Sequence, residues 1–119
     1  MGGATVRLMH EIGWGNAMRF LLTADEFSAE EAFRMGLVQE VTEPGKQFDR
    51  ALEIAKTVAA QAPMGVQATL ASARLARIKG DEAALARLIQ DLIPLMKSED
   101  VLEGLQAFIQ RREANFKGR

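Results

Sequence analysis

The chain has 119 residues, of which 48% are hydrophobic and 26% are charged, and its formal net charge is −1 at pH 7. That length suffices for one domain, and a charge so close to zero favours neither nucleic acid nor a membrane surface as a partner. Cysteine is absent, which excludes disulfides, thiolate catalysis and zinc–thiolate sites. The sequence contains no apolar run of about 18 residues and no secretory signal pattern. The absence of cysteine fits a cytoplasmic protein, which is the localisation we expect.

The chain begins with a glycine pair that predicts a turn into a helix. Gly2 and Gly3 tolerate positive φ at little steric cost, and they precede an apolar pattern of helical spacing from Arg7 to about Leu22. The Gly-Trp-Gly segment at 13–15 interrupts this pattern near its middle. We therefore expect two short helices that meet at this segment.

A short helix and one candidate strand are predicted next. Ser28 is the expected N-cap, with its hydroxyl accepting from the amide of Glu31 and the Glu31 carboxylate returning the bond. Gly36 follows as a left-handed cap. The weakly alternating segment 37–41 is the only strand candidate, and the Thr-Glu-Pro-Gly segment at 42–45 closes it with a turn.

From Gln47 onward the apolar spacing becomes that of longer helices. One apolar stripe runs to Ala62, where Pro63 stops the helix and can occupy the first position of the next one. This second helix is expected to end with a basic last turn and Gly80 as its cap.

Two further helices are predicted before the C-terminus. Asp81 is the expected cap of the first, which Pro94 breaks or kinks. Ser98 starts the second, and Glu99 and Asp100 lie where the positive end of the helix dipole favours acids. The pattern as a whole predicts a mainly α fold.

Four blocks of the sequence, taken in order and at their separations, carry a family resemblance. The blocks are GGATVRL, LLTADEFSAEEAFRMGLVQEV, AAQAPMGVQAT and SEDVLEGLQAFIQRREANFKG. Together they resemble the C-terminal half of the enoyl-CoA hydratase/isomerase (crotonase) family over essentially the whole chain. The second block is similar to the family's LTG…A.EA…GLV…V signature, and the last to its ED..EG..AF..KR...F ending.

This resemblance implies an architecture and a division of the chain. Residues 1–45 would be the C-terminal end of a crotonase-type ββα spiral core, with short helices and one possible strand. Residues 46–119 would be a helical region used for oligomerisation. In the family the glycine pair follows a strand and a loop, so we interpret this chain as a fragment.

The resemblance also implies where the family's chemistry is carried. Two backbone N–H groups polarise a thioester carbonyl, and one or two carboxylates act as general acid and base. These groups belong to segments that precede Met1 in the family's order, and no residue here matches them. We therefore expect hydratase or isomerase activity only in the intact family protein, and no catalytic residue in this chain. Its candidate acids each fit a helix face or a helix start, and they are Glu11, Glu30, Glu31, Glu99 and Asp100.

Coenzyme contacts are expected near the end of the chain. Phe108 and Arg111 match positions where the family's last helix offers an aromatic and a basic side chain to coenzyme A, often to that of a neighbouring subunit. Residues three apart share a helix face, so the ring could pack on adenine while the cation meets phosphates. The alternatives are that Phe108 is a core residue and Arg111 a solvated charge. Gly2 and Gly3 match a pair that lines the acyl pocket, or they form a plain turn.

The expected partners follow from the same resemblance. A coenzyme A thioester would be a substrate, with no permanently bound cofactor, and no metal-binding spacing such as HExxH occurs. The family assembles as trimers or pairs of trimers, and exposed apolar helix faces predict dimers or swapped oligomers for this chain. The alternative is a stand-alone self-associating helical module without coenzyme. The tail from Ala107 to Arg119 has a net charge of +3, which a phosphate or subunit contact explains more simply than nucleic acid.

Overall fold

The computed structural model describes residues 2–119, and over that range the chain is helical without a β-strand, as the mainly α prediction required. Met1 lies outside the described residues. No helix in the described range is long and apolar enough to cross a membrane. The helices are α1 (Ala4–Thr23), α2 (Ala29–Arg34), α3 (Gln47–Ala59), α4 (Pro63–Lys79), α5 (Asp81–Leu85), α6 (Leu88–Met96) and α7 (Glu99–Gln110).

The chain divides into two compact units, one up to Arg50 and the other from Ala51 to Arg119. Helix α3 spans the junction of the two units. The predicted division into a core remnant at 1–45 and a helical region at 46–119 stays a prediction. The two compact units show where the chain divides, but they do not show that the first unit is part of a crotonase core.

The first unit is organised around the kink in α1. Gly13 has non-helical backbone angles (φ 77°, ψ 159°), so the predicted meeting of two helical segments at 13–15 is confirmed. The first segment begins at Ala4, three residues earlier than the apolar pattern indicated. Its buried core is small and contains Ile12, Ala17, Phe20 and Met35.

Helix α2 begins and ends as predicted. The Ser28 hydroxyl accepts from the Glu31 amide at 3.2 Å. The expected return bond is wrong, because the Glu31 carboxylate instead accepts two bonds from Arg34, at 2.6 and 2.7 Å. Gly36 takes a left-handed conformation (φ 81°), and the amides of Gly36 and Leu37 donate to the carbonyls of Phe33 and Ala32.

The predicted strand at 37–41 does not form. The first two amides of this segment, on Leu37 and Val38, both point to the carbonyl of Ala32, at 2.9 and 3.5 Å. They therefore complete the end of α2 instead of pairing with another strand. The segment continues as irregular backbone to the turn before α3.

The junction between α3 and α4 follows the sequence signals. Helix α3 ends at Ala59, and Pro63 is the first residue of α4, as predicted. Proline suits this position because its missing N–H would have no partner in the first turn of a helix. None of the residues of α3 is buried, although the helix is amphipathic.

The segment after Gly80 differs from the prediction of one helix broken at Pro94. It forms two helices, and the break lies at Ala86 and Arg87, where the Arg87 amide donates to Ala84 at 3.1 Å in a tightened turn. Pro94 lies inside α6, which ends two residues later, so the proline removes only one hydrogen bond near the helix terminus. Asp81 is the first residue of α5 and makes no side-chain cap.

Candidate functional site

The predicted coenzyme contacts lie where α7 ends and the C-terminal tail begins. Helix α7 starts as expected, with the Ser98 hydroxyl accepting from the Val101 amide at 3.3 Å. Asp100, in the first turn, is only 4% exposed. Its carboxylate accepts from the backbone amides of Lys117 at 2.6 Å and Gly118 at 2.8 Å. The acid that the sequence assigned to a helix start therefore also holds the far end of the tail.

Glu103 holds the near part of the tail from the next turn of α7. Its two carboxylate oxygens accept from the Arg112 guanidinium at 2.6 and 2.9 Å. One of them also accepts from the backbone amide of Asn115 at 2.8 Å. These bonds, with Arg112 the larger cause, lower the pKa of Glu103 from its usual 4.5 to about 2. The carboxylate is therefore charged throughout the physiological pH range.

Apolar packing and an end-to-end contact complete the attachment of the tail. The Phe116 ring lies over Gly104, where an added Cβ would be 3.5 Å from the ring. The carbonyl of Arg119 accepts from the Glu99 amide at 2.7 Å, at the N-terminus of α7. The tail thus runs back along the helix from its C-terminal to its N-terminal end.

Two of the four cations of the tail are paired with acids of α7. Arg112 is paired with Glu103, and the Arg119 guanidinium with Glu99 at 2.9 Å. Helix α7 therefore supplies a carboxylate to each of these two arginines, and the predicted phosphate or subunit contact of the basic tail stays a prediction. Arg111 makes no ion pair with any residue between 2 and 119, and it is exposed.

Arg111 marks the turn between helix and tail. It lies one residue beyond α7, and its backbone is left-handed (φ 52°, ψ 42°). The Arg111 amide donates to Phe108 at 3.2 Å and the Arg112 amide to Ala107 at 3.1 Å, the same pattern that ends α2 at Gly36. The expectation that Phe108 and Arg111 share a helix face is wrong in this respect, because the helix ends between them.

Phe108 is 82% exposed, so its interpretation as a core residue is wrong for this structure. It shares the exposed surface of α7 with Leu102, Leu105 and Ile109. The structure thus places an open aromatic ring three residues before an arginine without an ion-pair partner in the described chain. The contact of these two residues with coenzyme A stays a prediction.

The glycine pair at the start of α1 forms the predicted turn. Gly3 has φ 83°, and its carbonyl accepts from the amides of Val6 and Arg7 at 3.1 and 3.0 Å. Gly2 is exposed. The arrangement is that of a helix start, and the lining of an acyl pocket by these glycines stays a prediction.

The other acids considered from the sequence occupy structural positions. Glu30 and Glu31 are in the first turn of α2, and the Arg34 side chain lowers the pKa of Glu31. Among the residues that the structure describes, no group of three or more His, Cys, Asp or Glu side chains could hold a metal ion.

Sequence reasoning missed Asp100 and Glu103 as ligands of the tail. The quoted ED..EG block contains both acids. The cations that follow this block in the sequence are the feature that could have indicated that the acids bind the tail. Their partners lie nine to eighteen residues away, beyond the range of helix spacing rules.

Two apolar grooves flank α4 in the second unit. One, of about 590 Å³, lies between α4 and the α5–α6 segment and is lined mainly by alanine and leucine side chains. The other, of about 650 Å³, lies on the α6 side of α4 and reaches Pro94 and Arg74. Leu70 lines neither groove and is half-exposed.

Comparison with known proteins shows which family this chain resembles in sequence. A family profile described as enoyl-CoA hydratase/isomerase matches residues 1–119. The chain is 37% identical over 119 residues to an enoyl-CoA hydratase of Mycobacterium tuberculosis, covering 100% of this chain and 45% of the relative. It is 41% identical over 104 residues to an (E)-benzylidenesuccinyl-CoA hydratase of Thauera aromatica, covering 86% of this chain and 40% of that protein.

Comparison with solved structures points to the same family. A probable enoyl-CoA hydratase/isomerase from Mycobacterium abscessus superposes with a TM-score of 0.94 at 53% identity, covering 100% of this chain and 46% of that chain. The chain therefore belongs to the enoyl-CoA hydratase/isomerase family, and its helices correspond to the helical C-terminal part of the crotonase fold. It spans about half the length of the relatives that it matches.

Proposed function

We propose that this chain contributes coenzyme A contacts and subunit assembly to an acyl-CoA-handling protein of the enoyl-CoA hydratase/isomerase family, and that it does not catalyse the reaction alone. The observation that carries the proposal is the presence of two exposed side chains, three residues apart in the sequence, at the end of α7. Phe108 offers an open ring face, and Arg111 offers a guanidinium that no acid of the described chain neutralises. The matched relatives are named for reactions of CoA thioesters.

The chemistry of the two side chains suits the nucleotide end of coenzyme A. An aromatic ring packs against adenine, and an arginine binds a phosphate through two parallel hydrogen bonds. Arginine at this position keeps the charge that a lysine would supply and adds this bidentate geometry. Coenzyme A would be bound here as part of the substrate.

The structural roles of four acids support the second part of the proposal. Glu31, Glu99, Asp100 and Glu103 each have an identified partner that fixes a helix or the tail. Each of these carboxylates thus has a structural role in the described chain, and none is marked out as a general acid or base. We infer that the oxyanion donors and catalytic carboxylates of the family reaction come from elsewhere in the intact protein.

Binding of coenzyme A by isothermal calorimetry tests the contact. Arg111→Ala should weaken binding about tenfold, the scale of a hydrogen-bonded charge pair, whereas Arg111→Lys should retain most of the affinity. Arg34→Ala is the matched control, because it also removes an exposed arginine but one paired within α2. Equal affinities for the unchanged chain and Arg111→Ala would refute the contact.

A separate assay tests the absence of catalysis. Hydration of a short enoyl-CoA by the purified chain, followed by loss of the conjugated thioester absorbance, should not exceed a heat-inactivated control. Turnover above that control would contradict this part of the proposal and would require a catalytic carboxylate among the acids placed here in structural roles.

A further inference from the structure

The tail after α7 is held by a set of contacts that we call the C-terminal clasp. It consists of the carboxylates of Asp100 and Glu103 with the tail groups that donate to them, namely the Arg112 guanidinium and the amides of residues 115, 117 and 118. Asp100 is buried, and its two bonds, at 2.6 and 2.8 Å, are short. The clasp therefore fixes the path of the backbone on the far side of Arg111.

The near side of Arg111 is fixed by the end of α7. The amides of Arg111 and Arg112 donate to carbonyls of the last helical turn, so the chain must reverse at Arg111. Its left-handed backbone (φ 52°) is a conformation that favours glycine. The amide bonds at the helix end hold Arg111 in this conformation, as they do Ala24 at the end of α1, and the clasp additionally restrains the chain that follows Arg111.

The clasp binds one of two adjacent arginines and leaves the other unpaired among the described residues. Arg111 and Arg112 are neighbours in the sequence, but Glu103 engages only Arg112, through both of its carboxylate oxygens. A bidentate pair of this kind occupies the guanidinium edge that would otherwise bind a phosphate. Arg111 is left as the arginine at this turn that is available to an anionic ligand.

We propose that Asp100 and Glu103 are positioning residues for coenzyme A, which clasp the tail so that Arg111 is held at the turn just after the helical end that carries Phe108. This inference rests on the proposed function, because it requires that Arg111 contacts the coenzyme. Neither acid touches the ligand. Both act through the backbone turn at Arg111, and Glu103 in addition neutralises Arg112.

The test is a double-mutant cycle of coenzyme A affinity, measured by calorimetry on the full chain. Glu103→Gln keeps the shape of the side chain and removes its charge, and it should weaken binding about fivefold. In the Arg111→Ala background the same substitution should change the affinity less than twofold, because the group that it positions is gone. Glu31→Gln, which breaks a similar glutamate–arginine pair in α2, is the control and should leave affinity unchanged.

The possible results separate the inference from the function on which it rests. If Arg111→Ala itself leaves affinity unchanged, both the proposed contact and the positioning role are refuted. If Arg111→Ala weakens binding but Glu103→Gln has no effect, or has its full effect in both backgrounds, the contact stands and the positioning role is refuted. A purely structural role for Glu103 would give that additive result.

A second variant covers the case in which Glu103→Gln fails to fold. Arg112→Gln breaks the same ion pair from the tail side, where the side chain is more exposed. It should also weaken coenzyme A binding severalfold and lose that effect in the Arg111→Ala background. Retention of full affinity by Arg112→Gln would overturn the proposal.

Discussion

At the scale of single residues, Glu103 is a carboxylate that the sequence marked only as part of a family block. Glu103 accepts three hydrogen bonds, two from Arg112 and one from Asn115. All of them favour its charged form, which is why its pKa falls from 4.5 to about 2. The charge of Glu103 therefore both pairs with Arg112 and fixes the backbone of the tail at Asn115.

The first prediction concerns the pH dependence of this contact. Because the folded pKa of Glu103 is depressed, its contribution to stability is complete above about pH 4.5 and is lost as the pH falls towards 2. The carboxyl carbon of Glu103, followed by NMR, should titrate with a midpoint near 2, and the Asn115 amide should shift with it. In Glu103→Gln the amide shift should vanish. A midpoint near 4.5 would contradict the pairing with Arg112.

The second prediction isolates the backbone strain at Arg111. Arg111→Gly and Arg111→Ala both remove the charge, but only glycine adopts the left-handed conformation without strain. The glycine variant should be more stable than the alanine variant by about 0.5–1 kcal/mol, after allowance for the greater entropy of glycine in the unfolded chain. Urea denaturation measures the difference. Equal stabilities would mean that the turn relaxes once the side chain is removed.

At the scale of elements, the tail behaves as an extension of α7 that is anchored at several points. Gly118, whose amide belongs to the clasp, also lies against Pro63, the first residue of α4. Gly118 has φ 76°, and an added Cβ would lie 3.3 Å from the Pro63 ring. This contact links the end of the chain to the helix that precedes α5 and α6.

The third prediction tests this anchor. Gly118→Ala should lower the free energy of unfolding by about 1 kcal/mol or more, and the melting temperature with it. Alanine is strained at this φ, and its methyl group crowds Pro63. Gly15→Ala is the matched control. Gly15 lies within α1 with no neighbouring atom within 4 Å of an added Cβ, so the substitution should be neutral or slightly stabilising. Equal melting temperatures for the two variants would contradict the anchor.

The elements that sequence reasoning predicted correctly depend on local chemistry. Ser28 and Ser98 cap helices through amides three residues ahead, and Pro63 begins a helix because of its own ring and missing N–H. These signals lie within one helical turn, where spacing rules apply. The family blocks extended the prediction from helices to a fold, because four of them occur in order.

The failures have equally specific causes. The segment 37–41 alternates weakly, but its first amides complete the cap of α2. Phe108 fits an apolar periodicity, yet periodicity does not tell whether a face is covered within the chain. The clasp was not predictable from spacing, because Asp100 reaches amides 17 and 18 residues away. Long-range polar contacts require the fold to be known first.

At the scale of the whole molecule, much apolar surface remains uncovered in the described chain. Helix α7 exposes Leu105 by 56% and Ile109 by 70%, next to the ring of Phe108. Helix α6 exposes a comparable row of large side chains, namely Leu88, Ile89, Leu92, Ile93 and Met96. Contiguous apolar patches of more than a few hundred Å² generally mark surfaces that associate.

The last prediction is therefore that the chain self-associates through α7. Light scattering after size exclusion should give a mass above that of a single chain at micromolar concentrations. Leu105→Glu should shift the population towards the monomer, because a charge replaces an apolar side chain on the exposed face. Gln106→Glu, at the exposed neighbouring position, adds the same charge without removing apolar surface and should leave the mass unchanged. A monomer at every concentration would contradict association, and equal effects of both variants would mean that charge rather than apolar contact controls it.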